Sequence, residues 1–344
     1  MAPNELHYFR IATVDDRQAL RTFLADQWNP ELIYLKSDLL LDYDFRFENN
    51  LNFLLALNQD DQIDGILGFI LYGQEYKNSD VFTVLWKVRP KSGDPMLGMT
   101  LLDKLISEFG FRIVSTVGAN AKTLPIYEFM GYKTGQLQHY FILNDQLSEF
   151  NICTNTPKIG DDNKPIPQAG KQLVSFESYD KLTVCFNPEK YKERIPYKSP
   201  QYINKRYFNH PFYIYKVLGI ADVNGVVNSI LVAREVAQNG STVLRVVDFI
   251  GDKADLTGIG TSLKALLYGN GYEYIDFLQY GIDHDIMLEA GFQLRDNYED
   301  LIIPNYFEPF KQTNIKINFF TTASEPFYIF KADGDQDRPS RINA

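Results

Sequence analysis

The chain has 344 residues, 45% of them apolar, which is enough to bury two cores and excludes a disordered chain. The net charge of −10 and pI of about 5.0 argue against a nonspecific phosphate-backbone binder, so no nucleic-acid partner is expected, although local cations can still hold a small anion. Two isolated cysteines, Cys153 and Cys185, exclude a disulfide framework. The histidines His7, His139, His210 and His284 show no metal spacing, so no metal is expected. No apolar run reaches 18 residues and MAPNELHYFRIA has no secretory apolar region, so the default expectation is a cytoplasmic protein without a membrane partner. Aromatic residues make up 14%, which suits aromatic-rich sheets and equally grooves that stack on sugars or bases.

In chain order, a helix pattern at 38–49 leads into two strands across a turn at Gly65 (51–71), then a strand at 81–88 and a helix at 97–110. A short strand (111–118) and a short helix ending in Gly-aromatic (125–132) follow. Residues 151–172 are rich in Pro, Gly, Asn and Lys and read as a linker. The same succession then returns: helix 200–209, hairpin 212–231 around Gly225, strand 242–250, helix 258–269, strand 273–280 and helix 285–292. Gly65, Gly98 and Gly131 pair with Gly225, Gly260 and Gly291 at an offset near 160, which predicts a duplicated unit. The expected fold is α/β of the α+β type: two tandem domains, 1–150 and 173–344, joined by 151–172, each a mixed, mostly antiparallel sheet flanked by helices.

The segment Asp255-Leu-Thr-Gly-Ile-Gly260 follows a strand and opens a helix. The first turn of a helix carries free N–H groups and the positive end of the macrodipole, and glycines admit a phosphate to the backbone. Simple close packing of helix on sheet is the plainer explanation of the same glycines. A dinucleotide fingerprint is excluded because Leu263 stands where a third glycine is needed, and the Walker spacing is absent.

In order and spacing these motifs resemble those of the GNAT superfamily of acyl-CoA-dependent N-acyltransferases, whose pyrophosphate loop reads [QR]-x-x-G-x-[GA]. The second half matches both glycines, Gly258 and Gly260, with Asp255 at the first position; the first half keeps Gly98 but has Met96 at the other glycine. The family's N-x(6)-Y-x-x-x-G-[FY] pattern survives in the first half as Asn120, Tyr127, Gly131 and Tyr132, and its counterpart in the second is Tyr280, Met287, Gly291 and Phe292. The resemblance implies acyl-CoA as co-substrate in the second half, with Thr257, Gly258, Ile259, Gly260 and Thr261 at the diphosphate and Phe249, Ile250 and Gly251 along the pantetheine.

Amine attack on a thioester is helped by a base and an acid. Asp248, on the fourth strand, is the expected base, or an ordinary structural carboxylate. Tyr280 and His284 are the expected acid, or packing and surface groups. Tyr127 is expected to be a packing residue. Lys205, Arg206, Tyr207 and His210 put cations and rings on the expected acceptor wall, or into the core. Through Arg206–Tyr213 and Asp333–Pro339 the chain also resembles tandem sugar N-acyltransferases from polysaccharide gene clusters. That implies transfer from acetyl- or 3-hydroxybutanoyl-CoA to a nucleotide-linked amino sugar such as a dTDP-3-amino-3,6-dideoxyhexose. Another amine acceptor, or a non-catalytic acyl-CoA-binding module, are the alternatives.

Overall fold

The computed structural model describes residues 6–157 and 170–340; the middle of the expected linker lies outside the described residues. In the first half the elements are β1 (Tyr8–Thr13), α1 (Arg17–Gln27), α2 (Ile33–Lys36), α3 (Asp38–Phe45), β2 (Arg46–Phe47), β3 (Asn50–Leu57), β4 (Ile63–Leu71) and β5 (Asp80–Val88). They continue with α4 (Leu97–Glu108), β6 (Ile113–Ala119), α5 (Leu124–Phe129), β7 (Lys133–Gln136) and β8 (Gln138–Leu143). The second half has β9 (Gln172–Phe176), α6 (Tyr179–Thr183), α7 (Pro200–Ile203), β10 (Lys216–Ala221), β11 (Val227–Gln238), β12 (Ser241–Ile250) and α8 (Gly260–Gly269). It closes with β13 (Tyr274–Tyr280), α9 (His284–Glu289), β14 (Gln293–Leu294), β15 (Tyr306–Phe307), β16 (Phe310–Lys311), β17 (Asn318–Thr321) and β18 (Ile329–Phe330).

Local chemistry explains the repeated hairpins. β3 and β4 are apolar on both faces and buried, as central strands must be. Their turn is closed by Asn58, whose Oδ1 accepts from the Asp60 and Gln62 N–H groups, both at 3.0 Å. The β10–β11 turn is closed in the same way by Asp222 with the N–H groups of Asn224 at 2.8 Å and Val226 at 3.0 Å. Ser37 caps α3 and Ser199 caps α7, with Pro200 in the first turn. Beyond α7 the chain widens into a π-helical turn over Asn204–Phe208.

The first sheet runs β1-β3-β4-β5-β6-β17-β7 and the second β9-β10-β11-β12-β13-β8-β14, so like strands occupy like places. In each sheet the fourth and fifth positions, β5/β6 and β12/β13, are parallel and paired over three residues, Asp80–Phe82 with Ile113–Ser115 and Leu244–Val246 with Ile275–Phe277. Beyond that the strands diverge. Both fourth strands carry a one-residue bulge just past the pairing, at Leu85–Trp86 and at Val247. Helices cover both faces of each sheet and bury separate apolar clusters there.

The sixth place in each sheet is exchanged. β8, from the end of the first half, lies between β13 and β14 of the second sheet, and β17, from the end of the chain, lies between β6 and β7 of the first. The boundaries 1–150 and 173–344 therefore do not coincide with sheet membership. Apolar residues from both halves, among them Val117, Leu137, Leu278, Phe319 and Phe327, form one cluster where the sheets meet. Among the described residues no helix is long and apolar enough to cross a membrane.

An isolated 1–150 fragment would leave β6 without β17 on its open edge and β8 without a partner sheet. Expressed separately, 1–150 and 173–344 are expected to be unfolded or aggregated, and co-expression is expected to restore a folded complex, as judged by circular dichroism and amide exchange. A monomeric, cooperatively folded 1–150 fragment would contradict this.

Candidate active site

The divergence of the fourth and fifth strands opens two gaps, and the two have different fates. In the second, β18 runs antiparallel to β13 at Gln279 and Tyr280 and fills the space between β13 and β12. Phe330 is buried there, stacked on Phe277 and edge-on to Phe249. Arg194 closes the outer end: its guanidinium lies 3.9 Å from the Tyr328 ring centroid and 5.1 Å from that of Phe249, and its Nη1 donates to the Gly251 carbonyl. Every residue of β12 from Val243 to Ile250 is buried. Phe249, Ile250 and Gly251, expected along a pantetheine, thus face the chain's own side chains. Gly251 is needed for another reason, because a Cβ there would run into Ser229.

The loop opening α8 has the expected shape, with Gly258 at φ +82° and buried. A Cβ on Gly260 would press to 3.3 Å from the Ala290 carbonyl oxygen, which makes this glycine a packing requirement as well. Asp255 is tied back by Ser229 at 2.6 Å and Lys171 at 3.1 Å, and the Lys171 carbonyl accepts from Ser262 across the helix start at 2.9 Å. Thr257 and Ile259 continue the turn, and Thr261 is exposed on the first turn of α8.

Asp248 is fully buried. Its carboxylate accepts from Lys198 Nζ at 2.5 Å and from the Tyr207 hydroxyl, and Lys198 also meets Asp333 at 2.7 Å. Asp333 in turn accepts from the Tyr72 hydroxyl of the first half at 2.8 Å. Burial pushes the Asp248 carboxyl up, and Lys198 opposes this. The physical role visible here is an ion pair inside the second half, touched by Tyr72 of the first half through Asp333, with both Asp248 carboxylate oxygens occupied and no opening to an acceptor. Tyr280 donates to Glu325 at 2.8 Å and stacks on Phe327; burial pushes its hydroxyl up to about 12. His284 is exposed, with Nδ1 3.0 Å from the Tyr140 hydroxyl. These three groups do not converge.

The expected acceptor wall is largely interior. Arg206 is buried and pairs with Asp337, which also holds Arg234 at 3.1 Å and Tyr215 at 2.8 Å. Tyr207 is bound to Asp248, as above. His210 Nδ1 accepts from the N–H groups of Phe212 and Tyr213, and burial with Arg206 nearby lowers its pKa to about 2, leaving a neutral ring. Lys205 lies over the Tyr43 ring beside a cavity of about 290 Å³. The two segments that resembled sugar acyltransferases, 206–213 and 333–339, therefore hold each other through Arg206 and Asp337.

The first gap differs. The last four residues of β5, Leu85 to Val88, are half-buried, and among the described residues no further strand covers them. At the bulge Leu85 has φ +53°, which leaves ladder groups of this strand unpaired. Lys87 lies near the end of the strand; Arg89, paired with Asp64 at 3.3 Å, and Lys91 follow on the way to α4, where Asp94 caps the Met96 N–H at 2.8 Å. The corresponding stretch of the second half carries Asp248, Asp252 and Asp255 against Lys253. Tyr127 is buried, stacked at 3.9 Å on Phe320 of β17, so it packs against the exchanged strand. At the bulge, Val84 and Leu85 line a cavity of about 210 Å³ walled by Trp28, Asn29 and residues 31–34 of the first half and by Tyr213, Arg234, Arg245, Lys331 and Arg338 of the second.

No protein-family model and no curated protein matches the chain. Solved structures do share its fold. A GCN5-related N-acetyltransferase from Anabaena variabilis ATCC 29413 superposes with a TM-score of 0.55 at 12% identity, over 92% of this chain and 72% of that one. A protein from Enterococcus faecalis V583 described as a probable N-acyltransferase gives 0.51 at 9% identity, over 92% and 71%. A GCN5-related N-acetyltransferase from Kribbella flavida gives 0.50 at 9% identity, over 92% and 71%. The fold is thus the one seen in GCN5-related N-acetyltransferases.

Removing one member of a buried ion pair leaves the other charge uncompensated, at a cost of about 3–5 kcal/mol. Lys198→Ala, which leaves the buried Asp248 and Asp333 without their shared cation, is expected to lower the unfolding free energy by that order in urea titrations. An unchanged stability would mean that this ion pair does not hold the fold.

Proposed function

We propose that the chain is an acyl-CoA-dependent N-acyltransferase that holds its co-substrate in the first half, along β5 and the start of α4, and not in the second. The observation that carries this reading is the contrast between the gaps: the second is filled by Phe330, Tyr328 and Arg194, whereas β5 keeps a half-exposed, bulged edge. An extended arm with amide groups can pair with such an edge as an added strand would. Lys87 and Lys91 supply charge for a diphosphate beside the N–H groups that open α4, whereas Arg89 is held by Asp64 at 3.3 Å. The local charge was the available signal: three cations lead into the first loop and three carboxylates surround the second, whereas the glycine pattern alone favours the second.

The thioester then lies near Leu85, beside the 210 Å³ cavity. A neutral amine there attacks the carbonyl carbon, the C–N bond forms and the C–S bond breaks. Backbone N–H groups freed by the bulge are placed to stabilise the developing oxyanion, and the departing thiolate takes a proton. A nucleotide-linked amino sugar, with acetyl- or 3-hydroxybutanoyl-CoA as donor, is what the sequence resemblance implies. Support for that acceptor is reduced because Arg206 and Asp337 engage each other in the interior.

The two candidate loops can be tested with matched substitutions at exposed positions. Met96→Glu and Thr261→Glu each put a carboxylate at a helix N-terminus, where it does not disturb the helix but repels a diphosphate. Calorimetric titration with CoA is expected to show Met96→Glu weakening binding about tenfold or more, or about 1.4 kcal/mol, with Thr261→Glu unchanged. The reverse pattern would return the co-substrate to the second half.

A further inference from the structure

We propose that the 210 Å³ cavity beside Leu85 is the acceptor site for a small amine that carries a carboxylate or phosphate, and that Lys331 pairs with that anion. This deepens the acyltransfer reading and rests on it for the identity of the reacting partner.

The cavity wall is divided by charge. Three of its carboxylates, Glu31, Glu308 and Asp335, are exposed or half-exposed, whereas Arg234, Arg245 and Lys331 are buried or nearly so. The two arginines have carboxylates of their own outside the lining: Asp337 meets Arg234 at 3.1 Å and Asp276 meets Arg245 at 2.7 Å. Lys331 has no such partner among the described residues. It is 2% exposed, and its one hydrogen bond is to the Asn305 carbonyl at 2.6 Å. An ammonium group carries three donors, so two are left to face the cavity. Arg338, also on the wall and paired with Asp44, has a buried Nε without a partner.

A buried cation lacking a counter-charge is a costly arrangement. Burial, with Arg245 and Arg234 nearby and opposed by Asp276 and Asp337, lowers the Lys331 pKa to about 7. An anion entering the cavity would favour the ammonium form, so that Lys331 takes up a proton on binding. The volume limits the ligand, since it is below the range of drug-sized sites. A nucleotide sugar could not be enclosed, but an amine with a short anionic tail could, its anion at Lys331 and its nitrogen toward Leu85 and the acidic rim.

The test uses the whole chain and calorimetry, first with CoA and then with β-alanine, O-phosphoethanolamine and β-alaninamide. At least one anionic probe is expected to bind tenfold or more tighter than the neutral amide, with proton uptake at pH 7–8 shown by buffers of different ionisation enthalpy. Which one binds separates a carboxylate from a phosphate. Lys331→Met, close in volume, is expected to remove both the preference and the proton uptake while leaving thermal unfolding no worse. Equal binding of all three probes, no binding of either anionic probe, or a preference retained in Lys331→Met would overturn the proposal. The anion preference is read without turnover: if CoA does not bind but the preference holds, only the co-substrate assignment fails.

Discussion

β17 hydrogen-bonds between β6 and β7, and β8 between β13 and β14. A strand in the middle of a sheet must satisfy N–H and C=O groups on both sides, so neither sheet can be completed by the half that supplies its other strands. The apolar cluster around Phe319, Phe327 and Leu278 draws on both halves, with β17 residues packed among those of β6 and β13. The two halves are in this sense one cooperative unit, although each repeats the same succession of elements.

The exchange also decides where the end of the chain goes. Having left β17, the backbone passes through the second gap as β18, and Asp333 then joins the Lys198–Asp248 pair. Gly334 presses against Val117 of the first half so closely that a Cβ would not fit, and Arg338 pairs with Asp44. One segment thereby closes the second gap, links the halves through buried charges and builds a wall of the cavity beside Leu85. Two copies of one architecture end with different surfaces: one gap packed, the other left with an open strand edge.

Charge follows the same division. Carboxylates within the second half are matched to buried cations, as Asp276 is to Arg245 and Asp337 to Arg206 and Arg234. Lys331 is left over from this matching, and Lys91, at the approach to α4, is exposed.

Much of the fold was legible in the sequence. Apolar periodicity marks the strands and helices, Gly65 and Gly225 mark equivalent hairpins, and the constant offset marks the repeat, because these are local properties of hydrogen bonding and burial. The site was less so. Asp248 and Arg206 have the residue types of a base and an anion-binding group, but their partners Lys198 and Asp337 lie 50 and 131 positions away. Nothing local distinguishes a carboxylate that faces a cleft from one that faces a lysine brought in by the fold. The sequence by itself determined the α/β class, the two related halves and the glycine geometry at Gly258. Only the tertiary structure decided which gap is filled, which strand belongs to which sheet and which cation lacks a partner, since these depend on where the distant segment 318–338 comes to rest.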